Sequence, residues 1–279
     1  MFLNIIQLLR PRHWVKNLFV LVPLVFAGAF MSAQNIIDSF IALVLFSIVA
    51  SMGYIINDIH DIERDRLHPE KSTSRPLASG KLSIRVAQLV LVLLLFLVVG
   101  FGAVFFPKLL FVLSAYLALV VAYTYVLKFQ PILDIFTIAI GFVLRIYAGA
   151  LVISVPVSPW TFVTTFMLAL FLASIKRRQE LKLVGDESRP VLKYYSEALV
   201  TRFAEMSATG ALICYSLFVL SERPELIITI PVVLYGLFRY WYVVESQDVG
   251  ESPTDVLLKD WPLIITVVVW VLISAFKIL

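Results

Sequence analysis

Residues 36–65 read IIDSFIALVLFSIVASMGYIINDIHDIERD, and their reading decides the fold. The opening part, roughly 36–57, is an apolar run long enough to cross a bilayer as one helix, because about 20 residues rising 1.5 Å each span its hydrocarbon core. The closing part, Asn57-Asp58-Ile59-His60-Asp61-Ile62-Glu63-Arg64-Asp65, turns acidic where that run ends. On a helix, Asn57, Asp61 and Asp65 fall at i, i+4 and i+8 and stack on one face, with Asp58 beside it. Carboxylates held this close repel unless something positive lies among them. A hard divalent cation with oxygen ligands answers that need, and Mg²⁺ carrying a diphosphate is its natural form. The stretch Lys71-Ser-Thr-Ser-Arg75-Pro-Leu-Ala-Ser-Gly80-Lys81 follows, with the cations and hydroxyls a phosphorylated ligand requires.

Working outward, the whole 279-residue chain repeats the apolar theme: 61% of it is hydrophobic and its mean hydropathy is +0.94. Runs of spanning length are expected at about 14–33, 36–57, 82–104, 107–127, 131–153, 158–178, 200–221, 225–244 and 261–278. Nine spans leave no room for a soluble domain, so residues 1–279 are read as one all-α membrane bundle. With a cytoplasmic N-terminus, all but Lys108, Arg223, Lys277 and the intramembrane Arg145 of the 23 Lys and Arg fall on or near the inner side. Eight further spans after residue 33 make the first one a retained helix rather than a cleaved leader. Cys214 is alone, which excludes an intrachain disulfide. The basic pI faces anionic lipid or substrate, and nucleic acid is excluded for want of a basic soluble module.

The expected outer connections are short, while the inner ones, 58–81, 176–199 and 245–260, are long and charged. Chemistry therefore belongs on the cytoplasmic face. The helix bearing Asn57 is expected to continue to about Leu67 and stop at His68-Pro69, with Arg64 and Arg66 pointing away from the acidic stripe. Arg10, Arg12 and Trp14 read as an interfacial anchor, whereas Lys16 and Asn17 lie deeper, within reach of a phosphate. His13, His60 and His68 are not spaced for zinc. Lys128 ends the fourth span. Arg145 lies roughly 20 Å into the fifth and needs an acidic or carbonyl partner. Lys176, Arg177 and Glu180 share a helix face, either as surface pairing or as an anion clamp opposite the acidic stripe. Thr254, after Ser252-Pro253, reads as a helix cap.

Asn57-Asp-x-x-Asp61-x-x-x-Asp65, Tyr-x-x-x-Leu-Lys128 and Gly141-Phe-x-Leu-Arg145-x-x-Ala-Gly149 together resemble the UbiA-type prenyltransferase superfamily. A closer likeness, to the decaprenyl-phosphate phosphoribosyltransferases, rests on four further motifs. They are Arg10-Pro-Arg-His-Trp-x-Lys16-Asn17, His68-Pro69-x-Lys71-x-x-x-Arg75-Pro76, Lys176-Arg177-x-x-Glu180 and Pro253-Thr254-x-x-Leu-Leu-x-Asp260. The resemblance implies nine transmembrane helices and Mg²⁺-dependent transfer of 5-phosphoribose from phosphoribosyl diphosphate to a polyprenyl phosphate, at the inner plasma membrane. It implies Asn57, Asp61 and Asp65 as metal ligands. It also implies Lys16, Asn17, Tyr54, Asp58, Lys71, Arg75, Lys128, Lys176, Arg177 and Glu180 around the donor, with Arg10 and Arg12 near the lipid phosphate. A phosphate acceptor is already anionic and requires no general base, in keeping with a chain that has no evident catalytic His or Cys dyad. Prenyltransferases proper usually carry a second Asp-x-x-x-Asp where this chain has Lys176-Arg177-x-x-Glu180. Prenylation of an aromatic acceptor is the competing enzyme reading, and a lipid-phosphate carrier the competing non-enzyme one.

Overall fold

In lipid every backbone N–H and C=O has to be satisfied within its own segment, so uninterrupted apolar runs fold as helices. The structure, a computed structural model, describes residues 1–67, 71–184, 190–246, 256 and 259–279. Its α-helices are α1 (Phe2–Leu9), α2 (Val22–Phe26), α3 (Ala33–His60), α4 (Ile62–Leu67), α5 (Lys71–Ser74), α6 (Ile84–Phe105), α7 (Pro107–Tyr125), α8 (Leu133–Val152), α9 (Pro159–Val184), α10 (Glu197–Glu222), α11 (Ile230–Ser246) and α12 (Trp261–Ile278). Ser32, Ser83, Ser196 and Asp260 cap α3, α6, α10 and α12, each side chain accepting a backbone N–H three residues on. Thr254 and the His68-Pro69 stop lie outside the described residues.

Among the described residues, eight helical segments are long and apolar enough to cross a membrane. They agree within a few residues with eight of the nine expected spans, and the chain is a multi-pass membrane protein. The first expected span, 14–33, does not form a single α-helix. It is a 3₁₀ helix over Pro11–Leu21, the short α2, and a further 3₁₀ turn over Ala29–Met31. Pro23 has no N–H to donate to an α-helical ladder, and Gly28 turns the chain at φ 66°. Eleven residues of 3₁₀ rise about 22 Å, so this segment extends further than its residue count implies for an α-helix.

The windows of α3 and α8 are both 61% buried, against 11% for α6 and 17% for α12. α3 and α8 are therefore the centre, and α6 and α12 turn apolar side chains outward. One core joins α3, α6, α7 and α8 through Phe46, Met52, Leu113 and Tyr116. A second joins α9 to α12 through Phe171, Tyr240 and Leu263.

Gly149 is what lets α8 touch the 3₁₀ segment. A Cβ there would stand 1.8 Å from the Val20 carbonyl oxygen, a clash that no side-chain motion relieves. Gly149→Ala is expected to destabilise the fold by about 1–3 kcal/mol, the usual cost of overpacking. Gly100→Ala, with nothing within 4 Å, is the control and should melt no lower than the parent protein in detergent.

Candidate active site

A cavity of about 360 Å³ opens between the 3₁₀ segment, α3, α7, α8 and α9, beside α4 and α5. Its apolar wall includes Phe19, Leu119, Val120, Phe142 and Leu172. Its polar wall includes Arg10, Lys16, Tyr54, Asn57, Asp61, Asp65, Lys71, Arg75, Lys128 and Lys176, so ten of the expected site residues converge from six segments.

The acidic stripe survives a break. α3 stops at His60, Asp61 takes φ −96°, ψ 10°, and α4 begins at Ile62. The ladder still continues, with Asp61 N donating to Asn57 O at 2.9 Å and Asp65 N to Asp61 O at 2.8 Å. Arg64 stands three residues after Asp61 and seven after Asn57, so the continuing ladder sets it on the same face. Arg64, expected to point away, lines the cavity with its guanidinium 5.8 Å from the Phe129 ring centroid. Nothing in the sequence marks that break.

Each carboxylate of the stripe is held by a cation from elsewhere in the chain. Lys128 Nζ donates to both oxygens of Asp61, at 2.7 and 2.8 Å. Arg75 Nη1 bridges Asp65 and Asp58, 3.1 Å from the latter. Arg10 Nη2 reaches Asp58 at 2.5 Å, with its guanidinium over the Tyr54 ring. Arg10 itself sits at φ 52°, a left-handed conformation that costs a non-glycine residue about 1 kcal/mol or more. That turn ends α1 and directs the Arg10 side chain inward.

Five expected site residues do not line the cavity. Asp58 is buried beneath Arg10 and Arg75. Asn17 is buried between Ser47 and Arg145, donating to one and accepting from the other. Arg12 is exposed. Arg177 is buried and donates to Asp134 at 2.6 Å and to Glu180, so its charge is consumed inside the protein, and Glu180 is its partner. Tyr195 completes that network: its hydroxyl donates to Asp134 and accepts from the N–H of Ile132, both at 2.6 Å. Ile132 has φ 69°, an outlier for a β-branched residue, and it closes the turn that follows Lys128. Arg177 is thus tied through Asp134 and Tyr195 to Ile132, in the turn that follows Lys128. This path joins residues far apart in sequence and could not be read from spacing.

Asn57, Asp61 and Asp65 offer hard oxygen donors on one wall, the right chemistry for Mg²⁺. Among the described residues, no three His, Cys, Asp or Glu side chains are gathered as a metal shell. Asp61 and Asp65 face Lys128 and Arg75 instead, and their oxygen donors are of the type a hard divalent cation takes.

This fold and site define a polytopic membrane protein with an ionic pocket at one end of its helices. The UbiA prenyltransferase family model matches residues 20–255, and the chain belongs to that family. It is 34% identical to the decaprenyl-phosphate phosphoribosyltransferase of Corynebacterium glutamicum, over 96% of this chain and 84% of that protein. It is 31% identical to the protein of the same name from Mycobacterium tuberculosis, over 96% and 92%. The fold matches a UbiA homologue from Archaeoglobus fulgidus bound to GPP and Mg²⁺, with a TM-score of 0.74 at 21% identity over 99% of both chains.

Burial opposes ionisation of Asp61, but the hydrogen bonds from Lys128 and His60 outweigh it and hold the carboxyl below its ordinary value of 3.8. A lowered folded pKa contributes stability that is fully present above the unfolded value and is lost as pH falls through the folded one. Lys128→Gln is therefore expected to lower the melting temperature at pH 7. The gap from the parent protein should begin to narrow as the pH falls below 3.8 and go on narrowing through the lowered folded value, which melts in detergent across that range will check.

Proposed function

We propose that this protein transfers 5-phosphoribose from phosphoribosyl diphosphate to a polyprenyl phosphate, releasing diphosphate, at the cytoplasmic face of the inner membrane. One observation carries the reading beyond family likeness: among the described residues, eight Lys and Arg side chains line the cavity against two carboxylates, Asp61 and Asp65. A prenyl diphosphate with a neutral or singly charged acceptor brings one strongly charged group. A phosphoribosyl donor and a lipid phosphate bring three phosphorylated groups, and that load matches a cavity so rich in cations. The names of the bacterial relatives point the same way.

In this reading the bond between C1 of the ribose and the diphosphate oxygen breaks, and an oxygen of the lipid phosphate forms the new bond to C1. The electron pair of the broken bond leaves with the diphosphate. Lys16, Lys71 and Arg75 receive that growing charge, with Lys128 turning to it from Asp61. Asn57, Asp61 and Asp65 would hold Mg²⁺, which supplies Lewis-acid neutralisation of the leaving group. No residue needs to remove a proton from the acceptor, because the lipid phosphate arrives ionised. The apolar wall of Phe19, Leu119, Val120 and Leu172 accommodates the beginning of the polyprenyl chain. Asp58 fixes the approach of Arg10 and Arg75 from below.

Purified protein given donor labelled in the ribose, Mg²⁺ and polyprenyl phosphate is expected to produce a labelled lipid. Absence of that lipid, together with prenylation of an aromatic acid from a prenyl diphosphate, would overturn the assignment. Asp61→Asn should lower turnover at least about a hundredfold, the scale of losing one preorganised electrostatic partner, while the protein still elutes as a folded species. Lys71→Ala is expected to raise the KM for the donor more than that for the lipid, and steady-state kinetics with each substrate varied in turn measures the split.

A further inference from the structure

Arg145 is 4% exposed, lies in the interior of α8 and lines the cavity. Its acceptors are all neutral. Nε donates to Asn17 Oδ1 at 2.8 Å, Nη1 to the Gly141 carbonyl at 2.7 Å and Nη2 to the Tyr116 hydroxyl at 3.2 Å. These bonds use three of the five N–H groups that a guanidinium carries. The rings of Phe46, Tyr116 and Phe142 each stand 5.0 Å from its central carbon. No carboxylate among the described residues pairs with it, in contrast to Arg10, Arg75 and Arg177.

Burying an arginine in a membrane bundle without a counter-ion is unfavourable. Three aromatic faces offset part of that, and neutral acceptors leave the charge itself uncancelled. The position is also remote from the acidic stripe. Asp61 and Phe46 are separated by roughly 20 Å of helix rise along α3, a gap that the inward-reaching side chains shorten and the cavity fills. The carboxylates of the stripe pair with Lys128, Arg75 and Arg10, and among the described residues none of them pairs with Arg145.

We propose that Arg145 is the floor of a second anion subsite, which takes a phosphate monoester while the diphosphate sits at the acidic end. The two unused N–H groups and the Tyr116 hydroxyl, which accepts from Arg145 and retains its own proton to donate, supply the contacts. Asn17 holds the guanidinium from the side as a neutral amide, so the full positive charge is left for the ligand. This rests on the proposed function for the identity of the monoester, which is either the 5-phosphate of the donor or the phosphate of the lipid acceptor.

Asn17→Asp tests the subsite without removing the arginine. It is nearly isosteric and sets a carboxylate where Oδ1 now accepts from Nε, cancelling the charge in place. Binding of ribose 5-phosphate, of farnesyl phosphate and of inorganic diphosphate with Mg²⁺ is measured on the full-length protein, the Asn17→Asp variant and the Arg145→Gln variant. The expected result is at least a tenfold loss of affinity for one monoester in both variants, with the Mg²⁺–diphosphate affinity within about twofold of the parent. A loss confined to ribose 5-phosphate assigns the subsite to the donor, and one confined to farnesyl phosphate assigns it to the acceptor. If Arg145→Gln does not fold, Asn17→Asp decides alone. Unchanged binding of both monoesters to the folded variants would overturn the proposal. So would a parallel loss of diphosphate binding, or displacement of the monoester by Mg²⁺–diphosphate. If the parent protein binds these probes but transfers no labelled ribose to lipid, the functional reading fails and the subsite stands.

Discussion

Charge in a water-poor cavity is the constraint on which the rest of this structure depends. Asp58, Asp61 and Asp65 gather at the end of α3 and in α4, where burial disfavours ionised carboxylates. The protein answers with Arg10, Arg75 and Lys128, brought in from three separate segments. These pairs lie on or just beneath the cavity wall, so the cations that quiet the carboxylates are the ones positioned to meet a phosphate. A ligand that brings both a metal and a diphosphate can exchange partners with them without leaving a charge bare. Buried pairs add little net stability against desolvation, which fits a network arranged to be reopened.

Around that network the fold supplies rigidity at some local cost. Arg10 and Ile132 are both held at positive φ, and both flank cationic positions of the cavity. Arg10 is locked by Asp58 and Tyr54, and Ile132 by the buried chain of Tyr195, Asp134 and Arg177. Strain of this kind persists only where the surroundings over-determine it. Here the surroundings are hydrogen bonds to buried ionic groups. Arg177 and Arg75 thus differ in place, one bonded into the turn behind the cavity and the other lining it.

The long runs of Leu, Val, Ile and Phe were legible as membrane helices, and the i, i+4, i+8 stripe of Asn57, Asp61 and Asp65 was legible as one wall of a site. Both follow from short-range rules of helix geometry and hydrophobic length. Lys16, Lys71, Arg75, Lys128 and Lys176 could be singled out because cations beside apolar spans are conspicuous, and all five line the cavity. Arg145 was conspicuous for the same reason and finds the expected carbonyl partner in Gly141, though Asn17 and the Tyr116 hydroxyl were not legible as its other acceptors.

Only the tertiary structure decided which charges face the cavity and which face each other. Arg177 and Lys176 are neighbours in sequence, yet one is consumed by Asp134 and Glu180 while the other lines the cavity. Arg64 lines the cavity because it lies three residues after Asp61 and seven after Asn57, on the face of the acidic stripe, and Asn17 leaves it because Ser47 and Arg145 claim its amide. The first apolar run is a 3₁₀ segment over Pro11–Leu21 that passes into the short α2 at Pro23, with Gly149 admitting its backbone against α8. Hydrophobicity and helical period act within a segment and can be read along the chain. Ion pairing and close backbone approach act between segments distant in sequence, so their outcome appears only once the helices have packed.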